Sequence, residues 1–233
     1  PFWDKTIELV INTHPEKDHL FGLIKVLDQY EVKQILANNM AADSDVFKIF
    51  YQKVREKQIV VYSPASGDQI KVGDLVLETL WPEKDWLASK GVTSDIWHDT
   101  LIEEHAIAGS NINVLGEASK KNIPLNTFSL VFHLKKGDFD AILAGDIDET
   151  IEKKIVNPPT GGQFADIEVL KIPHHGSKFS SSEEFLKAIS PKLAIISVGK
   201  NSYGHPTQEV LDRLNQLGIK FMRTDKDKID IKI

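Results

Sequence analysis

Cysteine is absent from all 233 residues, so no disulfide can form and any metal must be held by nitrogen and oxygen donors. No apolar run reaches the ~18 residues that a membrane-spanning helix needs. Repeats, heptads and low-complexity tracts are missing, and no stretch reads as a linker. A single domain over 1–233 is therefore expected. Basic charge is in short supply: 28 Lys and Arg stand against 34 Asp and Glu, a formal charge of -6. That weighs against a broad grip on duplex DNA but leaves room for a nuclease whose bound cations supply the positive charge. A secretory signal pattern is also lacking. The first residue is Pro1, which points to a fragment or a processed product. The 41% apolar content suffices for one substantial core.

The densest polar chemistry lies at 13–19, Thr-His-Pro-Glu-Lys-Asp-His. It follows the apolar run 7–11 and precedes an apolar-periodic stretch at 20–27. A strand that ends in a ligand-rich loop and continues as a helix fixes both ends of the loop, so its side chains can converge on a metal. Imidazoles with carboxylates suit zinc, manganese or iron. The plainer reading is a solvated helix start in which Glu16 or Asp18 complements the helix dipole.

Strands are expected at 6–13, 32–37 and 58–62, with helices at 18–30 and 44–57 between them. Leu20, Leu23, Ile24 and Leu27 form the inward stripe of the first helix, and Val46, Phe47, Phe50 and Val54 that of the second, which Asp43 or Ser44 caps. A hairpin turning at Gly73 joins 68–72 to 74–80. Residues 82–125 break the rhythm and read as an insertion over a functional face, with a helix at 99–108. Strands at 128–134 and 139–143, a helix at 149–156, a strand at 167–172 and a helix from Ser181 or Ser182 to 189 follow. A strand at 193–198, a helix starting at Pro206 and closing strands at 219–223 and 228–231 complete the chain. Helices alternating with strands, with hairpins mixed in, predict an α/β layered fold of mixed sheets.

The polar clusters share a position. His14 to His19, Asp146, the pair His174 and His175, and His205 all stand at the ends of predicted strands. Singly, each has a structural explanation: Asp146 as a turn or cap residue, the His pair as polar loop, His205 as a helix-start residue. Together, at successive strand ends, they predict a metal site. His98, His105 and His133 are assigned to structure or surface.

Four segments carry a resemblance: Thr-His-Pro-Glu-Lys-Asp-His at 13–19, Leu-Ala-Gly-Asp at 143–146, Leu-Lys-Ile-Pro-His-His-Gly-Ser-Lys at 170–178 and Asn-Ser-Tyr-Gly-His-Pro at 201–206. The sequence resembles the metallo-β-lactamase superfamily, and within it the hydrolase domain at the C-terminus of the DNA-uptake protein ComEC and its stand-alone relatives. The resemblance implies an αββα four-layer sandwich of mixed sheets and two divalent ions, zinc or manganese. His14 and Glu16 would bind one ion, Asp18 and His19 the other, with Asp146 bridging and His175 or His174 completing the set. Asp18, His174 and His205 are the implied catalytic groups, and Asn126, Ser177 and His205 the implied substrate contacts, with His205 alternatively a metal ligand. The chain departs from the family at Glu16, where His or Asp is usual, and at Asn126 or Thr127, where the superfamily carries a third His. The family's opening strands have no counterpart here, so the first sheet is expected to lack strands and expose an edge.

The expected function is hydrolysis of phosphodiesters, with DNA as a candidate substrate, through a hydroxide held between two ions. An ester or lactam hydrolase on the same metals is the second reading. A non-catalytic module binding metal or nucleic acid is the third. Membership of a membrane DNA-uptake protein would place the domain outside the cytoplasm; otherwise it is cytoplasmic or secreted. No protein partner is evident.

Overall fold

The computed structural model describes residues 4–92, 96–97, 123–157, 164 and 166–231. The chain divides into two compact units, residues 1–66 with 82–130 and residues 67–81 with 131–233. The expected helix at 99–108, together with His98 and His105, lies outside the described residues.

In the first unit the apolar run before residue 13 forms two short strands rather than one, β1 (Thr6–Ile7) and β2 (Val10–Asn12). The second predicted strand divides likewise, into β3 (Glu31–Val32) and β4 (Gln34–Ala37). The pieces take different partners: β1 pairs with β3, and β2 with β4. Helix α1 (Lys17–Gln29) connects β2 to this second strand, and α2 (Asp45–Glu56) connects β4 to β5 (Val60–Tyr62). All these pairings are parallel, as helical crossovers require.

The predicted stripes face the core, with Leu23, Ile24 and Val46 partly buried and the rest buried. Leu20 and Leu27 of α1 and Phe47, Phe50 and Val54 of α2 pack with Val10, Ile35, Ala37 and Val61 of the strands. Each such side chain contributes roughly 1.5–3 kcal/mol. Ser44 caps α2, its Oγ accepting from Phe47 N at 3.2 Å. The sheet β2-β4-β5 has three strands among the described residues, and edge residues Val60 and Tyr62 are exposed.

The 82–125 stretch supplies helix α3 (Lys84–Ser89), which the sequence pattern does not reveal. It also supplies core. The Trp97 ring lies 5.5 Å from Tyr51 and meets Phe50 edge-on at 6.4 Å, while its Nε1 donates to Asn38 O at 3.2 Å.

In the second unit a seven-stranded sheet runs in the order β12-β11-β10-β9-β8-β7-β6. Its strands are β6 (Gln69–Val72), β7 (Leu75–Trp81), β8 (Val131–Lys136), β9 (Phe139–Leu143), β10 (Val169–Lys171), β11 (Leu193–Ile196) and β12 (Lys220–Arg223). Pairing is antiparallel from β6 to β9 and parallel from β9 to β12, so the sheet is mixed and β9 is where it changes sense. The helices are α4 (Glu149–Val156), α5 (Glu183–Ile189) and α6 (Gln208–Gln216).

Two expectations fail here. Residues 228–231 form no strand; Asp227 instead turns back, its Oδ2 accepting from Arg223 N at 2.8 Å. Pro206 does not open α6. Its bond to His205 is cis, and Thr207 is the residue flanking the helix start. Among the described residues no helix is long and apolar enough to cross a membrane.

Candidate functional site

The first unit brings His14 and His19 together. Strand β2 ends at Asn12, and α1 begins at Lys17, so the four residues between must turn sharply with Pro15 among them. The His14 ring is fully buried and lies 4.1 Å, centroid to centroid, from that of His19. Two hydroxyls flank its Nδ1, Thr13 Oγ1 at 3.0 Å and Ser129 Oγ at 3.2 Å. Engagement of Nδ1 by a second partner orients the ring and makes Nε2 the nitrogen that a metal would use. Leu130 N donates to Thr13 O at 3.0 Å, which ties the histidine loop to the 123–130 segment. Asp18 sits exposed in the first turn of α1, its Oδ2 3.9 Å from His19 Nε2. Glu16 flanks the helix start in extended conformation and makes no side-chain cap. Asn126 lies in the 3-10 turn Leu125–Phe128, where its carbonyl accepts from Ser129 N at 2.9 Å.

The second unit brings Asp146 and His175 together. Asp146 follows β9 and is buried. His175 Nδ1 donates to Ser197 O at 2.6 Å, and its Nε2 lies 3.1 Å from Asp146 Oδ2. With Nδ1 committed to a carbonyl, Nε2 of the neutral ring is a lone pair facing a carboxylate oxygen. Such a pairing holds either a shared proton or a cation. The backbone-anchored imidazole with a carboxylate is also the donor set that zinc and manganese take. Lys171 adds charge below it, its Nζ 3.6 Å from Asp146 Oδ1 and 2.9 Å from the Gly145 carbonyl that accepts its proton.

The backbone pays a conformational cost to present the two histidines. His174 and His175 have φ of 49° and 54°, and Gly176 continues the left-handed run at 82°. For a residue with a Cβ this region costs about 1–2 kcal/mol, and such residues cluster at functional sites. Hydrogen bonds hold the run in place: His174 N to Gly145 O at 3.2 Å, Ser177 N to His174 O at 2.9 Å and Thr207 N to Gly176 O at 2.9 Å. The last bond joins the His174–His175 turn to the His205 loop, and the His205 ring lies 5.6 Å from that of His174. Burial pushes the His205 imidazole below its ordinary value; His174 and His175 act in the same sense and Asp146 opposes them. Ser177 is buried and its Oγ accepts from Phe179 N at 3.4 Å. His133 belongs to structure: it is buried in β8 with Nε2 2.9 Å from Asp140 Oδ2.

Sequence reasoning missed the groups that orient these residues. Thr13, Ser129, Lys171 and the Ser197 carbonyl carry no signal of their own, because their roles depend on which strand ends lie side by side. Asn201 is different. Its side chain bonds four backbone groups within its own loop, and an Asn just before a Gly and a Pro is a turn signal that could have been read.

No family model matches the chain. It is 30% identical over 226 residues to ComE operon protein 3 of Bacillus subtilis, covering 96% of this chain and 24% of that protein. Competence protein ComA of Neisseria gonorrhoeae is 38% identical over 118 residues, which cover 50% of this chain and 17% of ComA. Among solved structures, the diiron β-hydroxylase CmlA of Streptomyces venezuelae matches 95% of this chain and 44% of its own, with TM-score 0.51 and 11% identity. The metallo-β-lactamase fold protein YhfI of Bacillus subtilis matches 94% of this chain and 75% of its own, with TM-score 0.45 and 6% identity. The chain thus spans at most about a quarter of the length of the curated relatives named here. Over nearly its whole length the chain resembles a segment of the ComEC-like competence proteins, and its fold is a mixed α/β fold like that of CmlA.

Proposed function

We propose that the chain is a metal-dependent hydrolase of phosphodiester bonds, acting on DNA as the hydrolytic segment of a larger DNA-uptake protein. The observation that carries the reading is the His175–Asp146 pair, an imidazole anchored through Nδ1 to Ser197 O with Nε2 3.1 Å from a buried carboxylate. The competence relatives support the DNA assignment. His14, Glu16, Asp18, His19, Asp146 and His175 are the proposed ligands of two divalent ions, zinc or manganese. Divalent ions held in this way supply a nucleophile at neutral pH and neutralise phosphoryl charge.

The chain's own residues do the rest. Thr13 and Ser129 hold the His14 ring through Nδ1, and the Ser197 carbonyl holds that of His175. Lys171 offsets part of the Asp146 charge. His174 carries a proton to the leaving oxygen, and His205, whose basicity burial lowers, contacts the phosphate through a ring N–H. Asn126 is a proposed substrate contact, while buried Ser177 supports the histidine turn by accepting from Phe179 N.

Elemental analysis coupled to a hydrolysis assay tests this. Protein purified without chelator should retain about two equivalents of metal and cleave DNA or a bis-aryl phosphodiester with Mn²⁺ or Zn²⁺. His19→Ala and Asp146→Ala should lower the metal content and abolish turnover. Metal well below one equivalent, or full occupancy with no phosphodiester turnover, defeats the proposal. In the second case, turnover of a lactam or thioester would reassign the bond cleaved.

A further inference from the structure

In the loop between β11 and α6, the Asn201 side chain makes four hydrogen bonds to the loop's own backbone. Asn201 Oδ1 accepts from Tyr203 N and from His205 N, both at 3.1 Å. Its Nδ2 donates to Gly199 O at 2.9 Å and to His205 O at 2.8 Å. An amide engaged at both ends with its own loop substitutes for secondary structure and fixes the backbone. The bond from Thr207 N to Gly176 O pins the far end.

On this fixed loop Tyr203 is 81% exposed, more than any other large hydrophobic side chain among the described residues. Packing does not account for it. Its ring stands roughly parallel to that of His205, at 20° and 6.0 Å, and so borders the histidine cluster while offering a face to solvent. The segment after His174 and His175 also exposes a ring, here beside a cation: Phe179 is 65% exposed, with Lys178 Nζ 5.1 Å from its centroid. Exposed aromatic rings interleaved with Lys are what single-stranded nucleic acid binds, bases stacking on rings while cations follow the phosphates. A base inside a duplex has both faces covered and cannot use such a platform.

We propose that Tyr203 is a specificity-determining residue whose ring stacks on an unpaired nucleobase next to the scissile phosphate, selecting single-stranded nucleic acid. The inference rests on the phosphodiester reading above and names the form of substrate that the site takes.

The test compares a labelled oligothymidylate with an abasic oligonucleotide of equal length. Binding is read by fluorescence anisotropy, and hydrolysis is followed separately. Wild-type protein should bind the base-bearing strand more tightly. Tyr203→Ala should reduce that preference by about 5- to 150-fold, the range that the loss of one stacked base gives, while affinity for the abasic strand stays unchanged. Tyr203→Phe should keep most of the preference. An unaltered preference in Tyr203→Ala, or equal binding of both strands by wild type, overturns the role assigned to Tyr203. Absence of cleavage with metal-loaded wild type overturns the phosphodiester reading alone, because the binding ratio still decides whether the ring stacks.

Discussion

Glu152 offers a sharp test of how the second unit holds its histidine turn. The side chain is fully buried in α4 and points away from its own helix partners: its carboxylate accepts from Ser181 N, and from Ser182 N at 2.8 Å. Arg213 of α6 grips the same segment from its carbonyls, donating to Ser180 O at 3.2 Å and to Ser181 O. Glu152→Ala would leave two backbone N–H groups without an acceptor. At about 1–3 kcal/mol each the loss is ~4 kcal/mol, a large part of the stability of a domain. Equilibrium urea unfolding should show the midpoint falling by about 2 M for a slope of ~2 kcal/mol per M. Glu152→Gln keeps one acceptor oxygen and should lose about half as much. Burial pushes the Glu152 carboxyl above its usual value of 4.5, with the Ser181 and Ser182 amides and Arg213 pulling it down. The folded chain therefore holds this proton to higher pH than the unfolded chain does. Its contribution to stability is full below 4.5 and declines as pH rises through the folded value. The stability of wild type minus that of Glu152→Gln should fall across that window, since the amide does not titrate. A Glu152→Ala protein within about 1 kcal/mol of wild type would refute the clamp.

Two further outcomes follow from the same unit. A Cβ placed on Gly176 would stand 2.6 Å from Pro206 Cβ at a backbone φ of +82°, so Gly176→Ala forces the His174–His175 turn away from the His205 loop. Steric and backbone terms together cost about 3 kcal/mol, and a melting scan should show a fall of ~10 °C along with reduced metal retention. At the surface, the Asp140 side chain and Lys192 hold the Glu168 carboxyl down to about 2. The stability this confers is present above 4.5 and is lost as pH falls toward 2. Acid unfolding of Glu168→Gln should be less steep over that range than that of wild type, as followed by circular dichroism.

Periodicity made much of this fold readable. The stripes of α1 and α2 were legible because each repeats over three turns, and Ser44 was legible as a cap because its role is local. The break within 6–13 was not, since nothing in the run itself says that its two pieces pair with different strands. The 228–231 segment alternates like a strand but is held by a turn from Arg223 to Asp227. The 82–125 stretch reads as irregular, yet Trp97 lies in the core, because one anchored aromatic needs no period. At the site, residue types announced themselves: His14, His19, Asp146, His175 and His205 stand out by chemistry. The left-handed turn at 174–175 could not be foreseen, because residues with a Cβ avoid it unless hydrogen bonds made elsewhere compensate.

Strand β9 is the middle member of its sheet, with three neighbours on each flank. Fraying starts at the margins of a sheet and dies out inward. The carboxylate at 146 is thus mounted where the unit is slowest to open, and amide exchange along 139–143 should be the most protected of any strand. Loosening β6 or β12 by mutation would then soften the rim of the sheet while leaving the position of that oxygen pair unmoved.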